Sequence, residues 1–268
     1  MEFNELLEEA TVKLRSKSLL RKPQGTALVA GDIHGDITSL EQSISLREEL
    51  DLDYLILLGD YVDRGDHQLE VVKRIAEQVI SDNKFIPLRG NHEDFLVCSR
   101  YGFTSILDRK GLEIAPFMKM FAELPNAVQS ASMLMMHGGL PVKENFMMEE
   151  IKKFDRKQIV EGQLQKELLW NDPINDGVNE HLDRLPSRRG PEIWQFGSPI
   201  TKKVLESNNA ELNIRAHIAF PSGAEWIQEK TILSLFTSQS GPYRNHTPKV
   251  ASLDLSDPES IEIYEPKQ

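Results

Sequence analysis

Five short apolar runs punctuate the chain, and each stops at a cluster of small and polar residues. Thr26 to Gly31 (TALVAG) leads into Asp32, His34, Gly35 and Asp36. Leu55 to Leu58 leads into Gly59, Asp60, Asp63 and Arg64, and Lys84 to Leu88 leads into Arg89, Gly90, Asn91, His92 and Glu93. Ser132 to Met136 ends at His137, Gly138 and Gly139, and Leu212 to Ala216 ends at His217. Apolar runs of this length bounded by turn residues predict buried strands. Helical spacing fills the gaps between the first three. Asp36 predicts the cap of a helix with Ile37, Leu40, Ile44 and Leu50 on its inner side. Leu69 to Ile80 predicts a second helix, with Val72, Ile75, Ala76 and Val79 inward. The order β-α-β-α-β predicts parallel strands joined by right-handed crossovers. In such sheets the chemistry lies outside the carboxyl ends of the strands.

The flanking segments read differently. Residues 1–20 carry Phe3, Leu7, Ala10 and Leu14 at helical spacing, with Leu6 beside them. This predicts an amphipathic helix that packs on the domain or mediates self-association, packing being the simpler reading. Residues 92–124 are helical in pattern but broken at Gly102, Gly111 and Pro116, with Phe117, Met120 and Phe121 as core. Residues 145–169 predict one or two helices. Residues 171–191, rich in Asn, Asp, Gly, Pro and Arg, predict a long surface loop of the kind that is often functional. Glu225 to Gln228, Thr231 to Thr237, Val250 to Leu255 and Ser260 to Tyr264 alternate and are closely spaced, predicting a β-meander. The expectation is one α/β domain over residues 1–268, finished by a second, mostly antiparallel sheet.

Composition narrows the function classes. The 268 residues carry 31 basic and 42 acidic side chains, a net charge of -11. That balance disfavours nucleic acid or an anionic membrane as the main partner. One cysteine, Cys98, rules out an intrachain disulfide and fits a reducing compartment. No apolar run approaches a membrane span, and the acidic start MEFNELLEEA lacks the features of a signal peptide. A soluble, cytoplasmic protein is expected. No pattern speaks to its oligomeric state.

The polar residues at the strand ends form a coherent inventory. Asp32 and His34 flank one residue on the first loop and can converge on one cation. Asp60 leaves the neighbouring strand and can bridge two. Asn91, His137 and His217 add an amide oxygen and two imidazoles. Singly, each has a plain explanation: Asp32-x-His34 a helix-start turn, Asn91 a helix cap, the two histidines satisfied core residues. Together those explanations fail, because all six lie just past predicted strand ends. Oxygen and nitrogen donors without thiolate suit manganese, iron or zinc. Two such cations, roughly 3.5–4 Å apart, clamp an oxyanion and lower the pKa of a bridging water toward ~7. His67, His181 and His246 have no strand before them and are expected at the surface.

GDIHG (31–35), GDYVDRG (59–65), RGNHE (89–93), HGG (137–139) and RAH (215–217) resemble the signature blocks of the phosphoprotein phosphatase family of serine/threonine phosphatases, within the calcineurin-like metallophosphoesterases. LLWNDP (168–173) resembles a further block. The resemblance implies a central β-sandwich flanked by helices, two divalent cations with manganese first and iron or zinc as alternatives, and phosphoserine or phosphothreonine proteins as substrates. It further implies that Asp32 and His34 hold one cation, Asn91, His137 and His217 hold the other, and Asp60 bridges them. His92 would be the general acid, oriented by Asp63. Arg64 would bind phosphate, with Asn91 beside it. The chemistry agrees: a serine alkoxide leaves poorly, so a positioned acid is worth ~10²–10⁴ in rate, and arginine offers a planar fork to phosphate oxygens.

Two segments depart from the family pattern. PSRRG (186–190) stands where an Asn-Asp-Arg-Gly block is expected. Arg189, before the glycine, is assigned to phosphate, with Arg188 the alternative. TSQSGPYRNH (237–246) replaces the Ser-Ala-Pro-Asn-Tyr of eukaryotic members, and Tyr243 is placed where that tyrosine stands. The compact chain resembles prokaryotic or archaeal members. A diadenosine tetraphosphate hydrolase uses similar blocks, but GNHE rather than GNHD, and HGG rather than His-Ala-Gly, favour the phosphatase. A non-catalytic phosphate-binding module would lack a ligand or the acid, and every such position is filled. Net charge and Arg64 oppose a nuclease.

Overall fold

The computed structural model describes residues 2–266. Helix α1 (Phe3–Arg15) leads through β1 (Leu20–Arg21) into β2 (Thr26–Ala30), α2 (Ile37–Glu49), β3 (Tyr54–Leu57), α3 (Gln68–Ser81) and β4 (Phe85–Pro87). Three helices follow: α4 (Phe95–Tyr101), α5 (Phe103–Lys110) and α6 (Ile114–Ala122). Strands β5 (Ala127–Gln129) and β6 (Met133–Met136) come next, then α7 (Gln163–Trp170), β7 (Asp172–Pro173), β8 (Arg184–Pro186), β9 (Trp194–Phe196) and α8 (Ser198–Ser207). The chain closes with β10 (Leu212–Arg215), β11 (Ala224–Ile227), β12 (Ile232–Leu235), β13 (Val250–Asp254) and β14 (Asp257–Tyr264). Among the described residues no helix is long and apolar enough to cross a membrane.

Two large sheets stack face to face. The first has the order β14-β13-β2-β3-β4, and the second β1-β5-β6-β10-β12-β11. Alternation along each strand explains why the apolar runs are continuous. Ala27, Val29, Ile56 and Ile86 of the first sheet meet Met133, Met135, Ile214 and Leu233 of the second in the middle of the sandwich. Their neighbours Leu28, Ala30, Leu55, Leu57 and Phe85 face outward, where α1, α2, α3 and α6 cover them. On the far side Leu134, Met136 and Ile232 pack under residues of α7 and α8. A strand buried on both faces has no polar side to show, hence runs such as LILL. The sandwich flanked by helices is the architecture implied by the resemblance.

Helix α1 lays Leu6, Leu7, Ala10 and Leu14 into the outer core, and Phe3 meets Phe117 edge-on at 5.3 Å. Packing on the domain is therefore what its apolar face does. Asp36 caps α2 as expected, accepting from the Ser39 N–H at 3.0 Å. Gly102 and Gly111, both left-handed, end α4 and α5. Pro116 does not break its helix. It occupies the first turn of α6, where its missing N–H would have had no partner anyway.

Three expectations need correction. The meander is split: β11 and β12 close the second sheet, whereas β13 crosses to pair antiparallel with β2 in the first. The second sheet is mixed, with β1·β5, β6·β10 and β10·β12 parallel and only β5·β6 and β11·β12 antiparallel. Residues 171–191 are not wholly loop: β7 and β8 pair on either side of β9 in a small third sheet. Residues 145–169, where one or two helices are expected, carry α7 preceded by a 3₁₀ segment, Met148–Lys153.

Candidate active site

The loops leaving β2, β3, β4, β6 and β10 meet at one edge of the sandwich, joined there by a bridge between Asp32 and Phe236. Their backbones are unusual. His34, Asp60, Asp63, Arg64 and His217 all have positive φ, at 42°, 54°, 66°, 73° and 68°. Non-glycine residues held there cost of order 1–3 kcal/mol each and persist only where surrounding contacts over-determine them. Those contacts are present. The Asp60 carbonyl accepts from the N–H groups of Ile33 (3.0 Å) and His34 (2.8 Å). The N–H of Asp63 donates to Gln68 Oε1 at 2.9 Å, and that of His217 to Asp32 Oδ1 at 2.9 Å.

Asp32, His34, Asp60, Asn91, His137 and His217 are all buried and come together. The ligand atoms of Asp60, His137 and His217 lie within 4.8 Å of one another, as do those of Asp60, His34 and His92. Asp60 is common to both groups. Two rings reveal their tautomers. His34 Nδ1 sits 2.9 Å from the Val62 carbonyl and His137 Nδ1 3.0 Å from the Leu58 carbonyl. A carbonyl only accepts, so both Nδ1 atoms donate, and each ring turns its Nε2 inward, a free lone pair whenever the ring is neutral. His34 Nε2 faces Asp60 Oδ2 at 3.6 Å and Asp32 Oδ2 at 3.8 Å. His137 Nε2 faces Asn91 Oδ1 at 2.9 Å, His217 Nδ1 at 3.1 Å and Asp60 Oδ1 at 3.3 Å. Imidazole nitrogens, carboxylates and an amide oxygen gathered in a dry interior favour a positive charge between them, and donors of this kind fit divalent first-row cations.

His92 differs from His34, although the two rings meet edge-on at 4.8 Å. Its Nδ1 bonds a carboxylate, Asp63 Oδ2, at 2.6 Å, and Asp63 Oδ1 is fixed by the Phe103 N–H at 3.1 Å. Burial drives His34 down to about 3 against the pull of Asp60. Burial also opposes charge on His92, but Asp60 and Asp63 outweigh it and lift His92 above the usual imidazole range. Environments that split two neighbouring rings this way suit one to ligation and the other to proton transfer. Burial and the nearby Asp60 raise Asp32 to about 6. Burial would raise Asp60 too, but His137 and His92 hold it well below the carboxylate range.

The rim carries the remaining residues. Arg64 is exposed and lies over the Tyr101 ring, 4.2 Å from its centroid. Arg189 pairs with Asp172 and donates from Nη2 to the His217 carbonyl at 3.3 Å. Arg188 is exposed beside it and shares none of these contacts among the described residues. Tyr243 stacks on His34 at 5.5 Å and meets Phe236 at 4.8 Å. His67 and His181 are exposed, as expected. His246 is not a free surface residue: it is half-buried and packs on Phe236 at 5.5 Å and Tyr243 at 5.3 Å.

Sequence reasoning missed several neighbours. Glu93 is fully buried beneath Asp60. Arg215, also fully buried, donates from Nη2 to Asp172 Oδ1 at 2.8 Å, so Asp172 joins it to Arg189. Trp170 meets His217 edge-on at 5.6 Å. All three lie inside recognisable blocks (RGNHE, RAH and LLWNDP) whose other members drew the attention. Tyr101, on α4, had no such signal.

A double sheet with helices on both outer faces, and two donor clusters sharing one aspartate at its edge, define a metallophosphoesterase. The chain belongs to the calcineurin-like phosphoesterase family, whose profile matches residues 25–221. It is 33% identical over 220 residues to serine/threonine-protein phosphatase 5 of Solanum lycopersicum, covering 78% of this chain and 38% of that one. It thus spans well under half of that relative's length. A protein serine/threonine phosphatase from Saccharomyces cerevisiae superposes with a TM-score of 0.82 at 24% identity, covering 97% of this chain and 87% of that one. A cold-active protein-tyrosine phosphatase from a Shewanella species gives 0.65 at 13% identity, covering 91% and 80%. These two likenesses establish the shared fold.

Proposed function

We propose that the protein is a metal-dependent phosphatase of phosphoserine and phosphothreonine proteins, working on two divalent cations, manganese first among the candidates. The carrying observation is the convergence of His34 Nε2 and His137 Nε2 on Asp60, with His92 beside them held by a carboxylate instead of a carbonyl. Asp32, His34 and Asp60 would hold one cation, and Asp60, Asn91, His137 and His217 the other. Such a pair supplies the Lewis acidity that activates water and offsets phosphate charge. Arg64 and Arg189 bind the non-bridging phosphate oxygens, Asn91 adds an amide, and Tyr243 covers the His34 side. With Nδ1–H on Asp63, protonated His92 donates from Nε2 to the seryl oxygen as the P–O bond breaks. The alcohol leaves neutral and the water oxygen stays on phosphorus. The single buried Cys98 supports a cytoplasmic setting.

The test is initial rates with Mn²⁺ on a phosphoserine/phosphothreonine peptide, a phosphotyrosine peptide and diadenosine tetraphosphate. Fast turnover of the first with little cleavage of the last is expected. Dominant dinucleotide cleavage would move the protein to nucleotide metabolism.

A further inference from the structure

Glu93 touches none of the converging donors by its side chain, yet it grips the residue they share. Its carboxylate accepts three backbone N–H groups. Oε2 takes those of Asp60 (2.9 Å) and Gly90 (2.9 Å), and Oε1 takes that of Tyr61 (2.8 Å). The same loop fixes the other end of Asp60, since the His92 N–H donates to Asp60 Oδ1 at 2.9 Å. The two loops touch because glycines face each other: a Cβ on Gly90 would lie 2.2 Å from the Asp60 nitrogen, and one on Gly59 would lie 2.5 Å from the Gly90 nitrogen. Asp60 itself is in the left-handed region, a conformation less favourable than the usual ones even for aspartate and stabilised here by its surroundings.

We propose that Glu93 is a positioning residue: its carboxylate clamps the 59–61 turn and so sets the Asp60 side chain between the two imidazole groups. The inference rests on the two-cation reading above. Three N–H groups aimed at one point in a buried region need an acceptor of full valence. Both carboxylate oxygens are used, and the reach of a glutamate is required. Glutamine keeps the reach but turns an NH₂ toward one of the three N–H groups. Aspartate keeps the charge but is one methylene too short to span from the 90–93 loop to both nitrogens of the 60–61 turn.

Glu93→Gln and Glu93→Asp are stripped of metal and titrated with Mn²⁺ alone by calorimetry, alongside thermal melts and phosphopeptide kinetics. Both are expected to fold, to bind Mn²⁺ about tenfold or more weakly, and to lose kcat with KM unchanged. Wild-type Mn²⁺ affinity in either variant overturns the clamp. So does loss of fold in both without recovery on adding Mn²⁺, which would make Glu93 purely structural. The titration needs no substrate. A wild type that binds Mn²⁺ but spares the phosphopeptide sinks the proposed function and leaves the clamp standing on the Mn²⁺ titration, whereas a wild type that binds no Mn²⁺ sinks both.

Discussion

Replacing Asp63 by asparagine isolates the contribution of one buried hydrogen bond to proton transfer. The bond from His92 Nδ1 to Asp63 Oδ2 is 2.6 Å long and almost fully sheltered from water. Charge-assisted bonds of this kind are worth ~1.5–3 kcal/mol, which corresponds to ~1–2 pKa units or ~10–150-fold in rate. Asparagine cannot restore it. If its oxygen turns to His92, its NH₂ faces the Phe103 N–H that Asp63 now accepts at 3.1 Å. The sign follows from the raised pKa of His92, set by Asp60 and Asp63 against burial. As the acid, His92 must be protonated, so activity falls as pH rises through that raised value. Asp63→Asn brings this basic limb to lower pH. The assay is kcat against pH on a phosphoserine peptide and on an aryl phosphate. The peptide rate should drop ~10–100-fold, while the aryl ester, whose leaving group departs without a proton, changes little. Equal losses on both substrates, or an unmoved basic limb, would refute His92 as the acid.

Asp60→Asn should lower metal content below two ions per chain and cut turnover by more than the ~10–100-fold typical of residues that only orient a ligand; elemental analysis of the purified variant checks it. Arg189→Ala removes charge-assisted bonds to phosphate worth ~1.5–3 kcal/mol, so kcat/KM should fall ~10–150-fold, while Arg188→Ala leaves the same assay near wild type. Ile56→Ala opens a hole between the sheets and should cost roughly 2–5 kcal/mol in a denaturant melt, with activity per folded molecule unchanged.

The first half of the architecture was legible because β2, β3 and β4 are local: each run, its crossover helix and its polar terminus lie consecutively in the chain. The same compactness made Asp32, His34, Asp60, Asn91, His92, His137 and His217 visible as residues at strand ends, and the structure brings all of them to one edge. What stayed hidden depends on pairing between distant segments. Alternation in β13 shows which face is apolar but not that its partner is β2 instead of β12. Arg215 reads as an interior cation in a strand until Asp172, far along the chain, is seen against it. Glu93 reads as one acidic residue among forty-two acidic positions until its three N–H partners are in place.

The donors of the site do not come from one sheet. Asp32, His34, Asp60 and Asn91 follow β2, β3 and β4 of the first, whereas His137 and His217 follow β6 and β10 of the second. Cations held as proposed would therefore rivet the two halves of the sandwich at one edge, and the opening of that edge becomes a ligand-linked equilibrium. Amide hydrogen exchange would read it directly. Chelation should speed exchange in the 31–36, 58–66, 89–93, 137–139 and 216–218 loops, and leave the β13–β14 hairpin, whose strand pairing lies within the first sheet, as protected as before.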